Sequence, residues 1–233
     1  MSKHLARDLE RLNRDLLTLG AMVEEATNKA ITAFVDRRAE LAEQVRAGDE
    51  AIDDFEIQVE VECLKILALH QPVAQDLRYI VAVLKVNNDL ERIGDHALAI
   101  AERAASLLAH PPIELVADIA GMAEKVRQMV RSSLDALVNR DTALARQVLE
   151  MDDEIDRVHQ QMFGAVQDAI RRDLSVIEPA IQHLSVSRHL ERIADLATNI
   201  AEDVVFLVEG EVIRHGHASQ PPTAAEASSG SGP

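Results

Sequence analysis

Two fragments of the chain place a glutamate and an aspartate four residues apart. The first reads LERIGDHALAIAE and spans 90–102, and the second reads LERIADLATNIAE and spans 190–202. Positions i and i+4 share one face of a helix, where two like charges repel each other by roughly 0.2–0.5 kcal/mol. A chain that repeats such a pair either exposes it to water or neutralises it with another charge.

Two more acidic pairs precede these fragments, one in each half of the chain. In each half, the pair at the start of the middle helix and the pair within the last helix lie at similar distances from the connecting turn, ~30 Å in the first half at 1.5 Å per residue. An antiparallel hairpin therefore brings both pairs to the same height. We predict two converging clusters: Asp49, Asp53, Glu91 and Asp95 in the first half, and Asp152, Asp156, Glu191 and Asp195 in the second.

Four converging carboxylates cannot all stay charged unless a cation binds them or some of them take protons. A site rich in oxygen and free of sulfur favours Mg²⁺, Mn²⁺, iron or zinc. Possible additional ligands are His96, Glu102 and Glu202. The histidine has no counterpart in the second half, where Leu196 takes its place, and a lone histidine is more often a packing or capping group.

Two alternatives compete with a metal-binding role. In a metal-free helical scaffold, the acidic pairs are solvated or paired with Arg92 and Arg192, and Asp49 and Asp152 are helix N-caps. In a ferritin-like di-iron oxidoreductase, two helices each carry Glu-x-x-His. The nearest match is Asp156-x-x-His159, and the corresponding position in the first half is a glutamate.

Other catalytic machinery is absent from the sequence, so we predict that the protein is not an enzyme. The chain contains no glycine-rich phosphate loop, no nucleophile elbow and no His-Glu-x-x-His motif.

The hydrophobic pattern predicts an all-α protein of six helices. Aromatic residues make up 2% of the 233 residues, and glycine (9) and proline (7) are scarce, which favours long helices over strands. Gly48-Asp49 reads as the break between the first two helices, and Pro72 ends the second. The predicted helices span about 2–46, 49–70, 74–108, 113–149, 152–172 and 178–210, followed by a disordered tail at 213–233.

The chain is also an internal duplication. Residues 33–53 match 136–156 at 10 of 21 positions without a gap, and 89–102 match 189–202 at 9 of 14. Repeats in the same order predict two tandem three-helix bundles, spanning 1–110 and 111–212. We expect a pseudo-twofold axis to relate them within one body.

The net charge and the cysteine content limit which binding partners and which cellular compartment are expected. The formal net charge of −16 argues against nucleic acid and anionic membrane surfaces, which attract clustered lysine and arginine. No apolar run approaches the ~18 residues of a membrane span, which predicts no direct membrane insertion. The charged N-terminus does not read as a signal peptide, and one cysteine, Cys63, permits no intrachain disulfide. We therefore expect a cytoplasmic protein.

The stretches VECLKILALHQPVAQDLRYIVAVLKVNNDLERIGDHALAIAE (61–102) and HLERIADLATNIAEDVVFLVEGE (189–211) resemble the PhoU family of phosphate-signalling regulators. The resemblance extends over about 1–212. It implies two three-helix bundles, and metal clusters of iron or zinc held by the eight carboxylates of the paired Glu/Asp-x-x-x-Asp motifs. The family typically has Asp-His where this chain has Asp195-Leu196, which implies a weaker second site.

The same resemblance implies a regulatory function. Such proteins couple the ATPase subunit of the phosphate ABC transporter to a sensor histidine kinase. They repress the phosphate-starvation response when phosphate is plentiful. They are cytoplasmic and often homodimeric.

Overall fold

The computed structural model describes residues 3–210, and these residues form long α-helices without a strand. A 3₁₀ turn at Leu174–Val176 precedes the last helix. The predicted tail at 213–233 lies outside the described residues. The helices are α1 (Lys3–Val35), α2 (Ala39–His70), α3 (Ala74–Leu107), α4 (Ile119–Asn139), α5 (Thr142–Arg172) and α6 (Ile177–Glu209).

The first helix break differs from the predicted one. Helix α1 ends at Val35 and α2 begins at Ala39, so Gly48 lies inside α2 rather than between the helices. Asp49 therefore sits almost three turns into α2, and its predicted role as an N-cap is wrong.

The break falls at Arg37, which adopts the left-handed conformation with φ 56°. The backbone amide of Arg38 donates to the carbonyl of Ala33 at 3.0 Å, which closes α1 with a Schellman-type bond. The Arg37 guanidinium donates to the carbonyls of Leu107 and His110 at 2.8 and 2.7 Å. Contacts with the distant end of α3 thus hold the turn, and no glycine or proline marks it in the sequence.

The second half repeats this geometry. Arg140, which aligns with Arg37, is also left-handed with φ 52° and separates α4 from α5. The Asp141 carboxylate accepts hydrogen bonds from two backbone amides in the first turn of α5. Asp152 therefore lies inside α5 and is not an N-cap. The predicted helix boundaries at 149 and 152 are wrong for the same reason.

The helices pack as two bundles of three. Helices α1, α2 and α3 contact one another, as do α4, α5 and α6, and one buried apolar cluster extends through both bundles. Leu12, Leu16, Leu19 and Val23, which follow helical spacing along one face of α1, are almost wholly buried. Each such side chain contributes roughly 1.5–3 kcal/mol relative to an exposed one.

The two bundles meet through equivalent helices, α3 with α6 and α1 with α4. Lys85 of α3 contacts Asp203 of α6 at 2.6 Å, and Arg103 of α3 donates to Ser185 of α6 at 3.3 Å. Subtracting the repeat offset of 100 from the α6 numbers turns Asp203 into position 103 and Ser185 into position 85. Both contacts therefore join the same two positions of the repeat. A pseudo-twofold axis requires this reciprocity, and the prediction of two tandem three-helix bundles is confirmed.

Within the described range, no helix is long and apolar enough to cross a membrane.

The left-handed residues give a test of this fold. We expect Gln71→Gly to raise the free energy of unfolding by about 0.5 kcal/mol, because Gln71 ends α2 with φ 45° and glycine adopts that conformation without steric cost. Arg37→Gly relieves the same strain but removes two hydrogen bonds, so we expect a net loss of about 1–2 kcal/mol. Urea unfolding followed by circular dichroism measures both, and equal effects would contradict the assignment of Arg37 to a tertiary anchor.

Candidate metal centres

The first cluster lies on the outer groove between α2 and α3. Asp49 and Asp53 are one turn apart on α2, and Asp95 reaches them from α3. Each of the three offers a carboxylate oxygen within 4.8 Å of the others. Among residues 3–210, no other group of three acidic, histidine or cysteine side chains gathers this closely. The carboxylates predicted to converge in the second half therefore do not meet this distance. Glu91 lies close enough for its charge to interact with Asp53 and Asp95.

A glycine lets the two helices approach at this height. A Cβ added to Gly94 would lie 3.3 Å from Cγ2 of Ile52, which immediately precedes Asp53. The glycine therefore brings the backbone carrying Asp95 close to the backbone carrying Asp53. The equivalent residue in the second half is Ala194, which has an additional methyl group.

The electrostatics of the first cluster are unfavourable without a neutralising charge. Burial raises the pKa of Asp49, and repulsion from Asp53, Asp95 and Glu102 adds to the increase. The pKa of Asp95 rises through burial and then through repulsion from Asp53. The pKa of Glu91 also rises, with burial as the largest cause. A raised carboxyl pKa means that the negative form is destabilised here relative to a carboxylate in water.

The second cluster lies in the equivalent groove between α5 and α6. Burial, then repulsion from Asp156 and Asp195, raises the pKa of Asp152 to about 6. Oδ1 of Asp152 is buried without a hydrogen-bond partner, and so is Oε2 of Glu191. Buried carboxylate oxygens normally have partners. The orphaned oxygen of Asp152 fits a bound cation.

An arginine forms direct ion pairs with the second cluster, whereas in the first cluster Arg92 acts on Glu91 only through its charge. Arg192 donates to Oδ2 of Asp195 at 2.9 Å and lies 3.4 Å from Oε2 of Glu191. In the first half, Arg92 instead forms an ion pair with Asp89 at 3.6 Å. In the metal-free scaffold alternative, arginines pair with the acidic residues. That alternative therefore describes part of the second cluster better than the first.

The predicted additional ligands fall in different places. His96 lies against His189 of α6, with the two Nδ1 atoms 3.3 Å apart, so it belongs to the contact between the bundles. A step of one residue turns a helical side chain by about 100°, which carries His96 away from Asp95. Leu196 occupies the repeat position of His96, which in the first half faces the other bundle, and its effect on the second site stays a prediction. Glu102 acts on Asp49 through its charge, and Glu202 is half-buried on α6.

Two groups beside the clusters were considered in the sequence analysis only for the di-iron alternative. Glu56 lies beside Asp53, and its pKa is raised mainly by burial. Its repeat equivalent is His159, beside Asp156, and burial lowers the pKa of this histidine. The duplication offset of 103 relates the two positions. Each lies three residues after an acidic residue of its cluster, and this spacing was the signal available in the sequence.

A protein-family model described as the PhoU domain matches the chain twice, over residues 16–104 and 119–204. The "Phosphate-specific transport system accessory protein PhoU homolog" of Aquifex aeolicus is 39% identical over 216 residues, which cover 93% of this chain and 98% of that protein. The protein of the same name from Pseudomonas aeruginosa is 36% identical over 217 residues, 92% of this chain and 89% of the relative.

Solved structures agree with these matches. The crystal structure of PhoU from Pseudomonas aeruginosa superposes with a TM-score of 0.85 at 36% identity, over 88% of this chain and 99% of that one. The phosphate transport system regulatory protein PhoU from Streptococcus pneumoniae superposes with a TM-score of 0.77 at 29% identity, over 90% and 99%. The resemblance inferred from the motifs is confirmed.

The raised pKa of Asp152 predicts a pH-dependent gain from Asp152→Asn in chelator-treated protein. The folded state holds a proton on Asp152 up to about pH 6, whereas the unfolded chain releases it near pH 4, so folding loses stability as pH rises through this window. Removing the charge should raise the free energy of unfolding at pH 7.5 by about 1 kcal/mol, after allowance for solvent screening of a half-exposed group.

At pH 4 the same substitution should have little effect. Urea unfolding at the two pH values measures the difference, and Glu150→Gln, an exposed change on the same helix, is the control. A gain of equal size at both pH values would show that the effect does not come from the charge.

Proposed function

Because the chain belongs to the PhoU family, whose members are named accessory and regulatory proteins rather than enzymes, we propose that it is a cytoplasmic, metal-binding regulator of phosphate homeostasis. The observation that carries the proposal is the duplicated carboxylate cluster. Each half of the chain contains a group of carboxylates whose ionised form is destabilised. Binding of a cation in each half best explains this duplicated arrangement. The relatives' names supply the link to phosphate transport.

The proposed metal ligands are the two clusters of acidic side chains. Iron or zinc is the proposed metal, and the hard cations Mg²⁺ and Mn²⁺ are the alternative for oxygen ligands. A bound cation supplies the positive charge that offsets carboxylate repulsion, so it holds α2 against α3 and α5 against α6. The ligands are Asp49, Asp53, Glu91 and Asp95 in the first centre and Asp152, Asp156, Glu191 and Asp195 in the second.

The proposed partners are the ATPase subunit of the phosphate ABC transporter and the phosphate-sensor histidine kinase. The protein couples one to the other and represses the starvation response when phosphate is plentiful. We also propose that it acts as a homodimer. Support for the transporter comes from the relatives' description as accessory proteins of a phosphate transport system. The di-iron oxidoreductase alternative does not fit a family of regulators.

An exposed apolar stripe on α2 is the proposed contact surface for the transporter ATPase. Ile57, Val61 and Leu64 are each more than half exposed and follow helical spacing along one face. The equivalent residues of α5 are Gln160, Gly164 and Gln167, which are polar or lack a side chain. An apolar face present in only one of two duplicated helices supports a role in binding rather than in folding.

Metal binding predicts a ligand-dependent gain in stability. Zinc or ferrous iron at about 100 times its dissociation constant should raise the free energy of unfolding by about 2.7 kcal/mol per site. Asp95→Asn and Asp195→Asn should each remove one site, which elemental analysis of protein purified without chelator detects as a lower metal content. Metal-free protein, together with unchanged stability in both variants, would refute the metal proposal. Oxygen consumption with ferrous iron tests the oxidoreductase alternative separately.

Partner binding predicts a difference between two matched double variants. Val61→Glu with Leu64→Glu should abolish recovery of the transporter ATPase by affinity capture from cells. Gly164→Glu with Gln167→Glu adds the same charge to the equivalent face of α5, where a Cβ at Gly164 meets open space, and should leave recovery unchanged. Immunoblots for the ATPase and the kinase, in cells grown with and without phosphate, provide the measurement. Recovery of neither partner by the wild-type protein under both conditions would refute the regulatory role.

A further inference from the structure

We propose that His159 is a nitrogen ligand of the second metal centre, so that the two centres prefer different cations. The second centre then favours a borderline cation such as zinc, whereas the first, with oxygen ligands alone, favours a harder cation such as Mn²⁺ or Mg²⁺. This inference rests on the proposed metal-binding function and adds a ligand outside the paired acidic motifs.

The first step is the tautomer of His159. The Ser187 hydroxyl donates its proton to the carbonyl of Leu184 at 2.9 Å. Nδ1 of His159 lies 3.0 Å from the same hydroxyl oxygen. Because a hydroxyl has one proton, both hydrogen bonds form together only when the serine oxygen accepts from His159, with the hydrogen on Nδ1. The lone pair of the neutral imidazole is therefore on Nε2.

This arrangement is the one found around metal-binding histidines. Such a histidine commonly donates its other ring N–H to a protein acceptor, which sets the ring orientation and the tautomer. Ser187 is wholly buried, so the acceptor is held within the bundle rather than by solvent. Phe163 packs edge-on against the His159 ring, with centroids 5.3 Å apart, and restricts its rotation.

The second step is the location of His159. It lies one turn after Asp156 on α5, and Ser187, which its ring contacts, lies one turn before Glu191 on α6. His159 therefore occupies the groove between α5 and α6 one turn beyond the pair Asp156 and Glu191. The charge of Asp156 acts on Asp152, Glu191 and Asp195.

The third step is the comparison with the first half. At the equivalent position Glu56 accepts a hydrogen bond from Nδ2 of Asn87 at 2.7 Å. Asn87 and Ser187 are themselves equivalent under the repeat offset of 100, and both are buried. Each half thus has a buried polar side chain on its last helix that orients one residue beside the acidic pair. The oriented residue is a carboxylate in the first half and an imidazole in the second.

The test uses nitrogen NMR of the full-length protein labelled with ¹⁵N-histidine. The His159 signals are identified by their loss in His159→Gln. To restrict binding to the second centre, the titration is done with Asp49→Asn and Asp53→Asn in the background. On adding zinc, we expect the Nε2 resonance of His159 to move to the range of a metal-bound nitrogen while Nδ1 keeps its hydrogen.

A reciprocal exchange provides the matched control. His159→Glu should weaken zinc binding at the second centre at least about 10-fold relative to Mn²⁺, and Glu56→His should strengthen zinc binding at the first by a similar factor. Both are measured by competition titration with a zinc indicator. Ser187→Ala should lower zinc affinity less than His159→Glu, because it frees the ring without removing the ligand.

The outcomes separate this inference from the function on which it rests. If the second centre binds zinc with unchanged His159 resonances, the ligand assignment is wrong and the metal-binding function stands. If wild-type protein binds no metal at either centre, both are refuted. If the two exchange variants leave the preference for zinc over Mn²⁺ unchanged, the proposed difference between the centres is wrong.

Discussion

The packing of α3 against α6 is the contact on which the rest of the molecule depends. Each of these helices belongs to its own bundle and also forms the contact between the bundles. They cross antiparallel, and the Lys85–Asp203 and Arg103–Ser185 contacts mirror each other about the pseudo-twofold axis. Because these helices are packed on their other sides, the acidic pairs Glu91/Asp95 and Glu191/Asp195 can reach only the grooves toward α2 and α5.

Duplication then places an acidic cluster in each half of the protein, and small substitutions make the two clusters different. Gly94 permits a close approach in the first half, where three carboxylates gather within 4.8 Å. The second half has Ala194, an arginine on its acidic residues, and a histidine where the first has Glu56. Arg192 thus relieves part of the charge repulsion in the second half alone, and the neutralising cation we propose need not be the same in both halves.

The sequence predicted the helical class, the duplication and the acidic pairs because these depend on local spacing. Helix α3 was predicted at 74–108 and is observed at Ala74–Leu107, since Pro72 ends the helix before it. The end of α1 was missed by about ten residues. Its turn at Arg37 is held by carbonyls at the end of α3, some seventy residues away, and this interaction has no local signature.

The candidate metal ligands likewise divide into features that helical spacing predicts and features that only the tertiary structure decides. The spacing of Glu91 and Asp95 was enough to place both on one face, because helical periodicity determines it. Which neighbour that face meets is a tertiary property: His96, one residue further, faces His189 across the bundle contact. The role proposed for His159 likewise depends on Ser187, a residue on another helix with its proton committed to Leu184. The sequence by itself determined which side chains share a helical face, since that follows from the rise and turn of one helix. Only the tertiary structure decided which of those side chains meet across a groove, because that depends on how separate helices pack.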